Sequence, residues 1–269
     1  MLKKIGIGFG ILVGIILIAA FILLYSNDSF EAVLTEAPEE GITESDYLTR
    51  SQVDGNTVLT YPLDTTHGIA THQVLISEGE SQGNDGLFVK ENSDSGLLTN
   101  NDKTVAVVAG SDFHNGIIEV ELNGSISPKA SLMLRNFSRG FIGVCFRIAD
   151  DVESFECFYL RPENGVTDDE TRRNHAVQYI SIPDWDFARF REEAPEQYEN
   201  PAPIAPDTWH TVRIEVEDET AQIFIDDGAE PVLVVNDLKL GAENRGEVGL
   251  WVGPGTDAFF RNLTVTTFD

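Results

Sequence analysis

The sequence predicts an all-β protein, a two-sheet antiparallel sandwich preceded by one N-terminal transmembrane helix. Three observations carry the β assignment. Short runs of apolar, β-branched and aromatic residues recur along most of the chain, and many alternate apolar with polar side chains, as half-buried strands do. Gly, Asn and Asp punctuate nearly every junction between runs, where hairpin turns need them. Helical spacing is scarce. With 269 residues, 42% of them hydrophobic, the chain can bury one good-sized core, and sandwiches of this length commonly form one domain.

The N-terminus stands apart. Residues 1–4 include Lys3 and Lys4, and residues 5–25 (IGIGFGILVGIILIAAFILLY) form an uncharged apolar run. At about 1.5 Å per helical residue this run matches a bilayer core of roughly 30 Å. A cleaved secretory signal is the competing reading, but its apolar core is usually shorter and followed by a small-x-small site. Here Ala19 and Ala20 lie inside the run, so an uncleaved anchor is preferred. The lysines assign residues 1–4 to the cytoplasm and the bulk of the chain to the extracytoplasmic side. Residues 26–55 are acidic and turn-rich, a stalk or lead-in, and the folded domain is expected over residues 56–269.

Strand signals become regular from Gly86. GLFVKE and KTVAVVAG are β-branched runs, and GIIEVELNG sets Ile118, Val120 and Leu122 against Ile117, Glu119 and Glu121. KASLMLRN, FIGVCFRIAD, SFECFYLRP and NHAVQYISIP read as further strands. TWHTVRIEVED, TAQIFIDDG, PVLVVNDL, GEVGLWVG and AFFRNLTVTTF complete the series. Only DWDFARFREE, with Phe187, Phe190 and Arg191 at helical spacing, suggests about two turns of helix before Pro195.

DFHNGIIEVELNG, GFIGVCFRIADDVESFECFYLRPENG, DTWHTVRIEVEDETAQIFIDDGAEPVLVVNDL and GEVGLWVGPGTDAFFRNLTV together resemble consecutive strands of the concanavalin A-like lectin/glucanase jelly roll. The nearest variety is the group labelled 3-keto-disaccharide hydrolase, alongside laminin-G-like modules. The resemblance spans about residues 84–268. It implies two bent, stacked antiparallel sheets, with a carbohydrate groove on the concave one. Because this fold hosts lectins and glycosidases alike, it does not by itself assign an activity. The E-x-D-x-x-E run of family-16 glucanases is absent: Glu119/Glu121 and Glu215/Glu217 have the wrong spacing for a retaining carboxylate pair.

The formal charge of −27, from 45 acidic and 18 basic residues, argues against nucleic acid, which needs clustered Lys and Arg. The two cysteines, Cys145 and Cys157, flank a strand–turn–strand segment and would face each other across a hairpin centred near Asp151. In an exported protein a disulfide can form there, and two buried thiols are the alternative. No redox or nucleotide cofactor is implied. Ca²⁺ stays open, since Asp168, Asp169 and Asp257 are available but follow no diagnostic spacing.

The segment from Arg161 to Phe187 (RPENGVTDDETRRNHAVQYISIPDWDF) breaks the strand rhythm. Five of twelve arginines (Arg161, Arg172, Arg173, Arg189, Arg191) gather there or just beyond it, and such an island could attract an acidic or sulfated glycan. Aromatic faces that stack on pyranoses and forked donors that reach adjacent hydroxyls are what sugar recognition needs. The ligand-binding candidates are Arg161, His175, Gln178, Tyr179, Asp184 and Trp185, and the catalytic candidates are Asp184, Asp186 and His175. In the competing reading Trp185 and Phe187 cap the core while the arginines pair with nearby acids. Three functions follow: a membrane-anchored glycan-binding module, a glycoside hydrolase like the 3-keto-disaccharide hydrolases, or a cell-envelope protein-interaction domain.

Overall fold

A computed structural model describes residues 43–92 and 103–268. The segments expected at residues 1–4 and 5–25, and most of the stalk, lie outside the described residues. No helix among the described residues is long and apolar enough to cross a membrane.

The described residues form strands β1 (Thr49–Val53), β2 (Asn56–Tyr61), β3 (Ile69–His72), β4 (Val74–Ser81), β5 (Asn84–Glu91), β6 (Val105–Phe113), β7 (Gly116–Ile126) and β8 (Ile142–Ile148). They continue with β9 (Phe155–Leu160), β10 (Val177–Ile182), β11 (Glu199–Asn200), β12 (His210–Glu217), β13 (Thr220–Ile225), β14 (Leu233–Val235), β15 (Gly246–Val252) and β16 (Thr256–Thr267). Among them, nine strands make one sheet, ordered β1-β2-β16-β7-β12-β13-β14 with β5 on β16 and β4 on β5. Seven make the other, ordered β11-β10-β9-β8-β15-β6-β3. Every pairing is antiparallel. The expected two-sheet sandwich is the architecture found.

The alternation read in GIIEVELNG is realised, with Ile118, Val120 and Leu122 buried in the main core between the sheets. Two local expectations change. β1 falls inside the stretch read as lead-in. It is an edge strand, exposed at all its positions, so it carried no apolar signature. KASLMLRN is not a strand: Leu132–Phe137 is a short helix. Its residues lack β-branching and include good helix formers, and Ser131 caps it by accepting a hydrogen bond from Leu134 N.

β8, β9 and β10 are buried at every position, so both faces of the smaller sheet are covered there. The inner face packs into the main core. The outer face carries a second apolar cluster that includes Cys145, Cys157, Tyr159, Ile180 and Trp251. Cys145 and Cys157 are partners in the β8–β9 register and form a disulfide. Polar residues in strands this buried must find partners. Arg147 does so entirely through oxygens of neighbouring loops: His114 O (3.1 Å), Gly241 O (3.0 Å), Asn115 Oδ1 (3.2 Å) and Asp218 O (2.8 Å).

Candidate functional site

β10 decides how the expected site residues are divided. Its register on β9 pairs Gln178 with Tyr159 and Tyr179 with Phe158, and successive strand residues point to opposite faces. Tyr179 therefore lies in the main core, fully buried. Its hydroxyl donates to the buried carboxylate of Glu156 and accepts from Lys239 N at 2.9 Å. Leu240 N donates to the other Glu156 oxygen at 2.8 Å. Burial pushes the Glu156 carboxyl above its ordinary range, against the hydrogen bonds that hold it. This arrangement fastens the 239–240 loop to the sheet and offers nothing to a ligand.

Gln178 points the other way, onto the outer face, where a different group converges. In register across the smaller sheet run Glu199, Gln178, Tyr159, Gly143 and Trp251. A Cβ at Gly143 would sit 2.5 Å from Phe158 O and 2.6 Å from Tyr159 Cβ, so glycine is required between the two aromatics. They lean together over it, ring centroids 4.9 Å apart. Arg161 lies over the Tyr159 ring, 4.8 Å from its centroid.

The Arg161 guanidinium is the hub. Nη2 donates to Tyr159 OH at 2.6 Å and to Gln178 Oε1 at 2.5 Å, while Nη1 donates to His175 O at 2.9 Å. Glu199 stands behind it as a carboxylate shared by three cationic or basic groups. Arg191 reaches it through Nε (3.0 Å) and Nη2 (2.8 Å). Arg161 Nη1 lies at 3.5 Å and His175 Nε2 at 3.3 Å. Arg161 and Glu199 are buried, whereas the His175 and Arg191 side chains are 22% and 37% exposed and are the members of the group that solvent reaches. Burial, reinforced by Arg191 and Arg161, holds His175 below the usual imidazole range despite the opposing Glu199 carboxylate.

One atom in this group is left over. Gln178 is fully buried, and its Nε2 has no hydrogen-bond partner. Its Oε1 is committed to Arg161, so the amide cannot turn round to relieve the nitrogen. A buried donor without an acceptor costs about 1–3 kcal/mol, and such atoms are rare enough to require a reason.

The remaining candidates lie elsewhere. The Trp185 ring is covered by Arg189 (guanidinium carbon 3.9 Å from the centroid), Lys239 Nζ (4.7 Å) and Phe190 (5.1 Å between centroids). Asp184 is exposed and its backbone oxygen accepts from Arg189 at 2.9 Å. Asp186 caps the helix Phe187–Glu193, accepting from Arg189 N at 2.8 Å. Arg172 turns to the amide oxygen of Asn164, Arg173 to Thr167 O and Arg189 to Glu193. Asp169 caps the helix Glu170–Arg173, and Asp257 is the second residue of β16. Among the described residues no group of three or more His, Cys, Asp or Glu could hold a metal ion.

The sequence reading missed Tyr159, Glu199 and the anchoring role of Arg191. Period-2 counting along SFECFYLRP would have placed Cys157, Tyr159 and Arg161 on one face. Nothing local announces Glu199, because its two-residue strand is defined only by pairing with β10.

No family model and no curated protein matches the sequence. The solved structures similar to the chain include carbohydrate binding module CBM66 from Bacillus subtilis, at 14% identity and TM-score 0.46, covering 72% of this chain and 96% of that one. A Bacillus subtilis protein with a galectin-like fold is 11% identical at TM-score 0.47, covering 82% of this chain and 100% of that one. Bacillus licheniformis β-glucanase is 10% identical at TM-score 0.38, covering 82% of each chain. The architecture is a two-sheet antiparallel sandwich. At these identities and scores that statement stands on the sheet topology itself, and the functional reading stands on the corner built by β9, β10 and β11.

Proposed function

We propose that the chain is a membrane-anchored, extracytoplasmic glycan-binding jelly roll, with its site at the Arg161–Gln178–Glu199 corner of the smaller sheet. The observation that carries this reading is the buried, unpartnered Gln178 Nε2 beside a guanidinium hub. A sugar hydroxyl entering past His175 and Arg191 would accept from Nε2. It would then stand next to Arg161 and Glu199, a donor and an acceptor suited to vicinal hydroxyls. Arg191, more exposed than His175, must swing aside to admit it. Tyr159 and Trp251 buttress the site from beneath. The anchored, exported location is supported by the apolar run at residues 5–25 behind Lys3 and Lys4 and by the Cys145–Cys157 disulfide, a bond that persists in oxidising compartments.

The test is a glycan array probed with the detergent-solubilised full chain, repeated with Gln178→Leu and Arg161→Met. Hits lost in both variants support the reading. A blank array, or hits that survive both changes, overturns it.

One contact favours a hydrolytic reading. His175 Nε2 lies 3.3 Å from Glu199 Oε1, so a carboxylate orients a part-exposed imidazole, the arrangement of a general base. Release of reducing sugar from glycosides, abolished in His175→Gln but with binding intact, would move the assignment from module to enzyme.

A further inference from the structure

From Leu122 to Ala149 the chain contains no Asp or Glu, yet it holds Lys129, Arg135, Arg139 and Arg147, in a protein with 45 acidic residues. Arg147 is consumed inside the fold. Of the other three, Arg135 belongs to the helix Leu132–Phe137, which buries none of its residues, and Lys129 and Arg139 flank it in sequence. Leu132, Met133 and Phe137 are 77%, 47% and 69% exposed, the densest group of exposed large apolar side chains among the described residues. Arg135 and Arg139 spend hydrogen bonds on backbone carbonyls of Pro128, Asn136 and Ser138, so they keep their charge while being held at the patch. Lys129 is exposed at the helix entrance.

From this we infer that the 129–139 segment is a docking face for an anionic lipid surface. Water-facing helices of soluble proteins place charge outward and bury their apolar stripe. Here an apolar tip faces outward on a short segment that carries three cations and no acid, the combination that inserts at a bilayer interface and draws on anionic headgroups. Charge complementarity selects the occupant. An acidic bilayer attracts this segment while repelling the rest of a chain of net charge −27, so the domain would be oriented as well as held. A bilayer is within reach if residues 5–25 anchor the chain. Residues 26–42 can span at most roughly 60 Å when extended. The inference does not depend on the glycan reading, since no residue of the Arg161–Gln178–Glu199 corner belongs to the patch.

The experiment is hydrogen exchange of residues 129–139 in the full chain reconstituted into vesicles of phosphatidylcholine alone or mixed with phosphatidylglycerol. Exchange is expected to slow by about threefold or more in the mixed vesicles, and the effect should fade in roughly 0.5 M salt. Leu132→Ser with Phe137→Ser should abolish the slowing, and Lys129→Glu with Arg135→Glu should abolish its dependence on phosphatidylglycerol. All four side chains are at the surface, so an unchanged unfolding midpoint serves as the folding control. A second readout is extra fluorescence quenching of Phe137→Trp, relative to the unmodified chain, by brominated phosphatidylglycerol. Equal exchange in detergent, neutral and anionic vesicles, with no extra quenching, overturns the inference. Protection by a soluble glycan or a protein without lipid overturns it in favour of that partner.

Discussion

Arg161 Nη2 donates to Gln178 Oε1 at 2.5 Å, and this contact determines which end of the amide is left without a partner. Were the two residues apart, Gln178 could rotate until both ends were satisfied. The guanidinium holds the oxygen, so the nitrogen stays unpaired in the interior. A fold under selection for stability alone would place an apolar side chain here.

Replacing Gln178 with Met tests that trade directly. The orphan donor disappears, a relief of about 1–3 kcal/mol, while Arg161 loses an acceptor worth about 1.5–3 kcal/mol. The two nearly cancel. The urea midpoint should therefore move little, while affinity for any glycan bound by the parent chain falls at least about tenfold, the equivalent of one lost hydrogen bond.

Glu199→Gln should behave in the opposite sense. It leaves Arg161 and Arg191 without the carboxylate they share, and removal of one member of a buried ionic group typically costs about 3–5 kcal/mol. Arg191 is part-exposed, which places the expected loss at the lower end. Chemical denaturation of parent and variant at pH 7 measures it.

His175 gives the stability a pH dependence. Its folded pKa is depressed, first by burial and then by Arg191 and Arg161. Just below the unfolded value of about 6.5 the unfolded chain binds the proton more readily, so stability rises with pH there and falls as pH drops. His175→Gln should flatten the climb in urea midpoint between about pH 5 and pH 7. A variant with the same slope as the parent would remove His175 as its source.

Trp185→Ala separates the two aromatic groups of the original candidate set. The ring is occupied by Arg189, Lys239 and Phe190, so its loss should cost about 2–3 kcal/mol of stability and leave glycan affinity unchanged. A selective loss of affinity with normal stability would return Trp185 to the site.

The Cys145–Cys157 bond closes a short hairpin with a sequence separation of 12. Reducing it should lower stability by about 2–3 kcal/mol, chiefly by freeing the unfolded chain. Denaturation with and without reductant gives the difference, and alkylation of the native chain should find no free thiol.

Much of the fold was legible because strand signals are local. The alternation in β7 and the uninterrupted apolar character of β8 each follow from what neighbouring positions must face. The Phe187–Glu193 helix was legible for the same reason, through Phe187 and Phe190. The Leu132–Phe137 helix was not, since four apolar residues in so short a segment fit either period, and the decision fell to the Ser131 cap. Within the site, Arg161, His175 and Gln178 were readable as an unusual polar gathering in an apolar context. Tyr179 was grouped with them because composition does not distinguish the two faces of a strand.

Residue order alone therefore determined the all-β class, the hairpin that brings Cys145 opposite Cys157, and the polar excursion beginning at Arg161. Tertiary structure decided that Gln178 and Tyr179 part company, that Glu199 arrives from a later, two-residue strand, and that the Trp185 ring is covered by Arg189, Lys239 and Phe190. The reason is physical. Periodicity records which side of a strand is greasy, but a hydrogen bond between Arg161 and Gln178, or a carboxylate shared by Arg161, Arg191 and His175, exists only once separate segments pack within about 3 Å of each other. No single segment encodes that distance.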